Sequence, residues 1–129
     1  LVGSEMCIRD RDYLMKNDLA DTDISNWEDS TEFTDPQELY KWLCDNKPQE
    51  ELVFSHGDIS NLFIYNDEIY FFDLARCGSA DKWLDISMCV REIRNFFQNP
   101  ELEKMFFEML GMEPNYGKIN YYLLLDEMF

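Results

Sequence analysis

This chain of 129 residues contains three side chains, within a short stretch, that could act together in one reaction. They are Asp58, Asn61 and Asp73. Phosphoryl transfer can use one aspartate to orient and deprotonate the acceptor hydroxyl, an asparagine to bind a metal ion, and a second aspartate to link that metal to the nucleotide phosphates. The order of the three residues therefore predicts a phosphoryl-transfer centre. Short Asp and Asn motifs also cap turns and end strands, so the pattern by itself leaves a structural role open.

The stretch between Asn61 and Asp73 predicts the element that positions them. Residues 62–65 and 69–72 are apolar, β-branched or aromatic, with turn-forming residues between them, which indicates a β-hairpin. With the turn centred on Asp67, Asn61 and Asp73 would lie opposite each other at the open end. Cross-strand partners are about 4.5 to 5.5 Å apart, so oxygen atoms of the two side chains could share one Mg²⁺ at about 2.1 Å.

Longer segments around these residues carry more specific motifs. They are residues 52–58 (LVFSHGD), 61–64 (NLFI), 72–86 (FDLARCGSADKWLDI) and 121–129 (YYLLLDEMF). From about Tyr13 to its last residue, the chain resembles the aminoglycoside 3'-phosphotransferases. The resemblance implies an α+β fold, namely the mainly helical C-terminal lobe of a protein-kinase-like fold, with a small β-hairpin carrying the catalytic loop.

The same resemblance implies a role for each candidate residue. Asp58 matches the catalytic base, Asn61 and Asp73 match the Mg²⁺ ligands, and ATP is the implied phosphoryl donor. Positions that contact the cationic aminoglycoside fall on Arg76, Arg91, Asp126, Glu127 and the carboxylate of Phe129, and on Asp21 and Glu28 in an acidic substrate loop. His56 is interpreted as structural support for the catalytic loop, since a lone histidine with no carboxylate pair or nucleophile nearby rarely does acid–base work.

The chain departs from the family pattern at several positions. Two residues separate Asp58 from Asn61, where the family has four, so either Asn61 reaches the metal by a tighter path or the site is damaged. The usual Asp-Leu-Gly after the second strand ends in Ala75. Acidic positions of the family's substrate site are taken here by Asn95, Phe96 and Ser25. These changes leave the choice of antibiotic open.

The chain is expected to divide into a short N-terminal segment and one lobe. Residues 1–11 resemble a translated sequencing adaptor, which we exclude from fold reasoning, although an ordinary frayed N-terminus is the alternative. Residues 12–129 are then expected to form the C-terminal lobe, responsible for catalysis and substrate binding, of a truncated enzyme. The sequence has no Gly-rich loop before a strand and no upstream lysine of the kind that holds ATP phosphates in such kinases. We therefore expect the isolated chain to be inactive.

Composition narrows the class of partner. The net charge is −16, which disfavours nucleic acid and suits a cationic small molecule, although acidity can also serve only solubility. No stretch of eighteen apolar residues occurs in the sequence, so a membrane partner is not expected. The four cysteines lack paired spacing and are typical of free thiols in a reducing compartment, so we expect a cytoplasmic protein. The oligomeric state stays open.

Helices are predicted around the hairpin. Asp35 and Pro36 open one that ends near Asn46, and a second is expected over about residues 80–97. A third runs from Pro100 to a stop at Gly111, and a fourth covers about residues 118–125.

Three hypotheses remain from the sequence. The chain is the catalytic lobe of an aminoglycoside kinase that confers antibiotic resistance, a related kinase acting on another amine or sugar, or a non-catalytic remnant. The reading frame upstream of this chain would discriminate best, since a Gly-rich loop and its lysine would support either kinase and their absence would support the remnant.

Overall fold

The computed structural model describes Tyr13, Lys16, Asn17, residues 23–27 and residues 31–128. Within these residues we number four α-helices and four short strands. The helices are α1 (Pro36–Asp45), α2 (Trp83–Glu92), α3 (Pro100–Leu110) and α4 (Tyr116–Asp126), and the strands are β1 (Leu52–Ser55), β2 (Leu62–Tyr65), β3 (Glu68–Phe71) and β4 (Gly78–Asp81). Short 3₁₀ turns cover Ile24–Asn26 and Leu74–Arg76. The fold is α+β, as expected.

Local sequence features set the ends of α1 and α3. The Asp35 carboxylate accepts a hydrogen bond of 2.8 Å from the backbone N–H of Gln37, with Pro36 in the first turn, which satisfies an otherwise unpaired donor at the helix start. Helix α3 ends at Gly111, whose φ of 65° is a left-handed conformation that glycine adopts without steric cost. Both predicted helices are confirmed.

Helix α2 differs from its predicted range at both ends. It begins at Trp83 rather than near residue 80, because Gly78–Asp81 pairs with β1 as strand β4. After Glu92 the chain continues as a π-helical segment, Ile93–Phe97, which ends at Gln98 with a φ of 48°. The start was predicted wrongly because helical periodicity does not reveal a pairing with a strand far away in the sequence.

The chain forms two antiparallel strand pairs in its described part, β1 with β4 and β2 with β3. The predicted hairpin is confirmed, and both of its turn residues, Asn66 and Asp67, have positive φ values of 51° and 62°, as a two-residue type I′ turn requires. This turn is centred between the two residues, not on Asp67. The register is therefore displaced by one residue, and Asn61 faces Phe72, whose N–H donates to the Asn61 carbonyl at 3.1 Å. The expected direct opposition of Asn61 and Asp73 was wrong.

The hydrophobic core lies among the helices. Helix α4 contributes five of the twelve described residues in the buried core cluster, more than any other element, and α2 packs along α4. The core members buried in α4 are Ile119, Tyr121, Tyr122, Leu124 and Leu125. In the part of the chain that the structure describes, no helix is both long and apolar enough to cross a bilayer.

A buried polar network ties β4 to α4. The Asp81 carboxylate has no exposed surface and accepts hydrogen bonds from Lys118 Nζ at 2.9 Å and Tyr122 Oη at 3.0 Å. Burial and the neighbouring Asp81 charge raise the pKa of Tyr122 above its ordinary value, so the phenol stays a donor. The pairing compensates the cost of burying Asp81 and fixes the edge of the β1–β4 pair against the core.

Candidate active site

Asp58 lies in a tight turn directly after β1. The backbone N–H of Asn61 donates to the Asp58 carbonyl at 3.2 Å and closes this turn. The two carboxylate oxygens of Asp58 each accept a side-chain hydrogen bond from the same turn. Ser60 Oγ donates to Oδ1 at 2.7 Å, and Asn61 Nδ2 donates to Oδ2 at 2.6 Å. Side chains of the turn itself therefore orient the carboxylate.

Helix α2 holds the backbone that leads into this turn. The Asp85 carboxylate, in the first turn of α2, accepts the N–H of His56 at 2.7 Å and the N–H of Gly57 at 2.8 Å. Each oxygen takes one donor, so the strand end cannot shift without breaking both bonds. Sequence reasoning did not single out Asp85. The available sign was an acidic residue next to Ile86, near the start of the predicted helix.

His56 is buried beneath the turn and also contacts Asp58. Its Nδ1 accepts a long hydrogen bond of 3.3 Å from the Asp58 N–H, and its ring lies 5.7 Å from the ring of Phe71. The other ring nitrogen, Nε2, is buried without a hydrogen-bond partner among the described residues. The histidine thus connects β1, the Asp58 turn and β3.

Gly57 allows two backbone segments to approach closely. It has a φ of 81°, and a Cβ at this position would lie 2.7 Å from both the Cβ and the carbonyl oxygen of Arg76. Any other residue would clash with the 3₁₀ turn Leu74–Arg76 and would be strained in this conformation. The close approach brings Arg76 beside the Asp58 turn.

Asn61 and Asp73 both lie at the open end of the hairpin, where Asn61 faces Phe72 and Asp73 is the next residue after Phe72. Asp73 follows Phe72 and has a φ of 55°, a conformation that aspartate tolerates better than most residues. Its side chain caps no helix and is exposed. The amide nitrogen of Asn61 is occupied by Asp58, which leaves its amide oxygen for another partner.

The donor set at this position suits magnesium. One amide oxygen and one carboxylate are hard oxygen ligands, and Mg²⁺ commonly keeps several waters and takes substrate phosphates rather than a full protein cage. No group of three or more His, Cys, Asp or Glu side chains with metal-binding geometry occurs among the described residues. Asn61 and Asp73 supply the oxygen atoms that Mg²⁺ prefers as ligands, so the chemistry of this pair fits the metal.

Several residues assigned to the substrate meet at the end of α4. Arg91 Nη1 lies 2.6 Å from Asp126 Oδ2, and Arg76 Nη1 lies 3.6 Å from Asp126 Oδ1. Glu127 accepts a hydrogen bond of 3.1 Å from Thr31 Oγ1. The structure thus brings four of the assigned residues to one end of the helical core. The other three, Asp21, Glu28 and Phe129, lie outside the described residues.

A cavity of about 310 Å³ opens at the same end, between α2 and α4. Its polar lining consists of Thr31, Arg91, Arg94, Asn95, Asn120 and Glu127. Arg94 Nε and Nη2 each donate to Glu103 at 2.9 Å, and Phe96 is 77% exposed. Of the two neighbouring departures from the family pattern, Asn95 lines the cavity and Phe96 does not. A larger cavity of about 700 Å³ borders α3 and contains none of the candidate residues that the structure describes.

Curated proteins similar to this chain match it over more than nine-tenths of its length. No protein-family model matches the sequence. An aminoglycoside 3'-phosphotransferase from Campylobacter jejuni is 63% identical over 123 residues, covering 95% of this chain and 49% of that protein. Relatives of the same name from Enterococcus faecalis and Staphylococcus aureus are 53% and 52% identical over 121 residues, covering 92% of the chain and 46% of each protein.

The chain belongs to the aminoglycoside 3'-phosphotransferase family. It spans about half the length of the curated relatives it matches.

Solved structures of aminoglycoside phosphotransferases show the same fold. A type VIII aminoglycoside 3'-phosphotransferase superposes with a TM-score of 0.80 at 20% identity, over 97% of this chain and 50% of that one. The APH(3'')-Id enzyme from Streptomyces rimosus gives 0.74 at 23% identity, over 95% of this chain and 50% of that one, in a complex with ADP and streptomycin. The match covers the C-terminal half of such kinases and confirms the expected fold class.

Proposed function

We propose that this chain is the catalytic and substrate-binding half of a kinase that transfers the γ-phosphoryl group of ATP to a hydroxyl of an aminoglycoside. The observation that carries the proposal is the placement of Asp58, held by α2 at the end of β1, next to the hairpin that bears Asn61 and Asp73. The family name of the relatives supports the reaction class. The Streptomyces rimosus neighbour, which holds ADP and streptomycin, supports a nucleotide and a polycationic sugar as the substrate pair.

Asp58 is the proposed general base. In the transfer, the acceptor oxygen bonds to the γ-phosphorus, the bond from that phosphorus to the leaving ADP oxygen breaks, and the hydroxyl proton passes to Asp58. Asn61 and Asp73 would hold Mg²⁺. When bound, the metal neutralises charge that develops on the phosphate oxygens. His56 and Asp85 keep the backbone of the turn in place.

The acidic end of α4 is the proposed cation site. Asp126 is already paired with Arg91 and Arg76, so we propose that these guanidinium groups orient it rather than compete for substrate. Glu127, together with Asp21, Glu28 and the Phe129 carboxylate, would bind ammonium groups, and the net charge of −16 would favour their approach.

The proposed organisation places residues 12–129 in the C-terminal lobe and treats residues 1–11 as an adaptor product. The remaining contacts to ATP would come from an N-terminal lobe, so we propose that the chain alone does not phosphorylate substrate. Three described cysteines, Cys44, Cys77 and Cys89, are in the thiol form rather than in disulfides, which agrees with a proposed cytoplasmic location.

The proposal can be tested in a joined kinase, made by fusing the first half of the Campylobacter jejuni relative to residues 13–129 of this chain. We expect Asp58→Asn to lower kcat with kanamycin by about 10²-fold or more while KM changes little, because the base acts mainly in the transition state. Asp67→Asn removes an equal charge from the hairpin turn and serves as the matched control. Near-parental turnover in the Asp58 variant would remove this residue from the mechanism.

A second candidate is a kinase for a less cationic hydroxylated amine or sugar. Asn95 and Asn120 favour it, since both present neutral carboxamides to the cavity between α2 and α4. Phosphorylation of glucosamine in preference to kanamycin by the joined kinase would support this alternative.

A further inference from the structure

Ser60 places a hydroxyl group where a phosphoryl acceptor would need to place its own. Its Oγ lies 2.7 Å from Asp58 Oδ1, which is the separation expected between a general base and the hydroxyl that it deprotonates. This inference rests on the proposed function, because it concerns the same carboxylate.

The two side chains on Asp58 differ in how firmly they are held. Asn61 is half-buried, and its backbone is anchored at both sides, with its N–H on the Asp58 carbonyl and its carbonyl accepting from Phe72. Ser60 is exposed, and rotation about one side-chain bond would release its hydroxyl to water. Oδ2 of Asp58 is therefore the fixed oxygen and Oδ1 the exchangeable one.

We propose that the Ser60 hydroxyl is a stand-in for the acceptor. It occupies Asp58 Oδ1 while no acceptor is bound, and the acceptor hydroxyl displaces it on binding. Ser60 is thus a positioning residue, which keeps the carboxylate aligned between turnovers and lowers acceptor affinity by the hydrogen bond that must be given up.

Ser60 takes part in no covalent step. Once it has rotated away, the acceptor proton moves to Asp58 Oδ1 as the acceptor oxygen bonds to phosphorus and the ADP oxygen leaves. When the product departs and Asp58 has lost its proton to solvent, the Ser60 hydroxyl returns to Oδ1.

A purely structural role for Ser60 predicts the opposite kinetics. Serine hydroxyls often stabilise turns by local hydrogen bonds. If that were its whole contribution, removal of the hydroxyl would loosen Asp58 and lower kcat. A stand-in instead predicts that removal lowers KM while kcat is kept.

The experiment compares Ser60→Ala, Ser60→Thr and Ser79→Ala. Kanamycin binding is measured by calorimetry on the full 129-residue chain, and kcat and KM are measured in the joined kinase. We expect Ser60→Ala to bind kanamycin about two- to tenfold more tightly, with KM lowered by the same factor and kcat unchanged, because one ordinary hydrogen bond no longer has to be displaced. Ser60→Thr, which keeps the hydroxyl, should match the parent, and Ser79→Ala, outside the Asp58 turn, should too.

The outcomes separate this inference from the proposed function. Equal or weaker binding by Ser60→Ala, or a lowered kcat, would overturn the stand-in while the parental joined kinase still phosphorylates kanamycin. Tighter binding by Ser60→Ala without any phosphorylation by the parent would support the contact at Asp58 and count against the proposed reaction. If the chain and all its variants bind no kanamycin, both ideas fail.

Discussion

The helical region and the hairpin region of this molecule are built in different ways. In α4, Ile119 is 1% exposed and Tyr122 is 2% exposed. In the hairpin every residue of β2 and β3 is exposed, with Ile64 at 68% and Ile69 at 59%. Both regions are rich in apolar side chains, but only the helices bury them against one another in the described structure.

This difference shows where the stability and the chemistry of the chain reside. Burial of apolar side chains supplies most of the favourable free energy of folding, so α2 and α4 carry the fold. The hairpin is maintained by its two-residue turn and its ladder, which give a two-stranded unit only marginal stability. The proposed metal ligands therefore lie on the weaker element, and Asp58 lies at the boundary between the two.

The sharpest test of this comparison replaces one isoleucine in each region. We expect Ile119→Ala to lower the free energy of unfolding by about 2 to 5 kcal/mol, because it leaves a cavity in the core. Ile64→Ala, the same chemical change on the hairpin, should cost about 0.5 kcal/mol or less. Urea unfolding followed by circular dichroism measures both, and equal losses would show that the hairpin is buried in solution.

A second test addresses the link between the regions. Asp85→Asn keeps one acceptor oxygen but removes the other and the charge, so one of the N–H groups of His56 and Gly57 loses its partner. We expect kcat of the joined kinase to fall by about 10- to 100-fold with little change in KM, since a displacement of the turn by a fraction of an ångström misplaces the base. Glu92→Gln on the same helix is the control. A parental kcat in Asp85→Asn would show that the turn holds its position without α2.

The smallest expected effect concerns a thiol on α2. Burial, with the charge of Asp85 beside it, raises the pKa of Cys89 to about 11, so its thiolate is scarce at pH 8. Iodoacetamide should therefore label exposed Cys44 well before Cys89, as followed by peptide mass spectrometry. The neutral thiol favours the folded state, and its contribution to stability is complete below about pH 9 and is lost as the pH rises toward 11. Equal labelling rates would indicate that α2 opens readily.

Features set by neighbours in the sequence were predictable. The start of α1 at Asp35 and Pro36, the stop of α3 at Gly111 and the hairpin turn all depend on the preferred backbone conformations of a few adjacent residues. The first residue of α2 was not predictable in this way, because it is decided by the pairing of β4 with β1 across more than twenty residues.

In the candidate site, too, the residues could be predicted but their long-range contacts could not. The order of residue types and the family resemblance together supplied the identities of Asp58, Asn61 and Asp73, but neither predicted the hydrogen bond from Asn61 to Asp58. The hydrogen bonds that the His56 and Gly57 N–H groups donate to Asp85 span 29 and 28 positions in the sequence, and no local pattern encodes them. The occupation of both Asp58 oxygens depends on the folded geometry of the short loop from Asp58 to Asn61, which the sequence does not display.

Helix α2 also has a mechanical consequence. Asp85 and Arg91 lie six positions apart on it, which is about 9 Å along the axis of a rigid rod. At one end, Asp85 binds the backbone that leads from β1 to the proposed base. At the other end, Arg91 binds Asp126 at the acidic end of α4, where we propose that the drug binds. A movement of α2 at Arg91 would therefore also move the Asp58 turn. A variant selected to admit a bulkier antibiotic near Arg91 would have to leave α2 in place or lose turnover along with its old specificity.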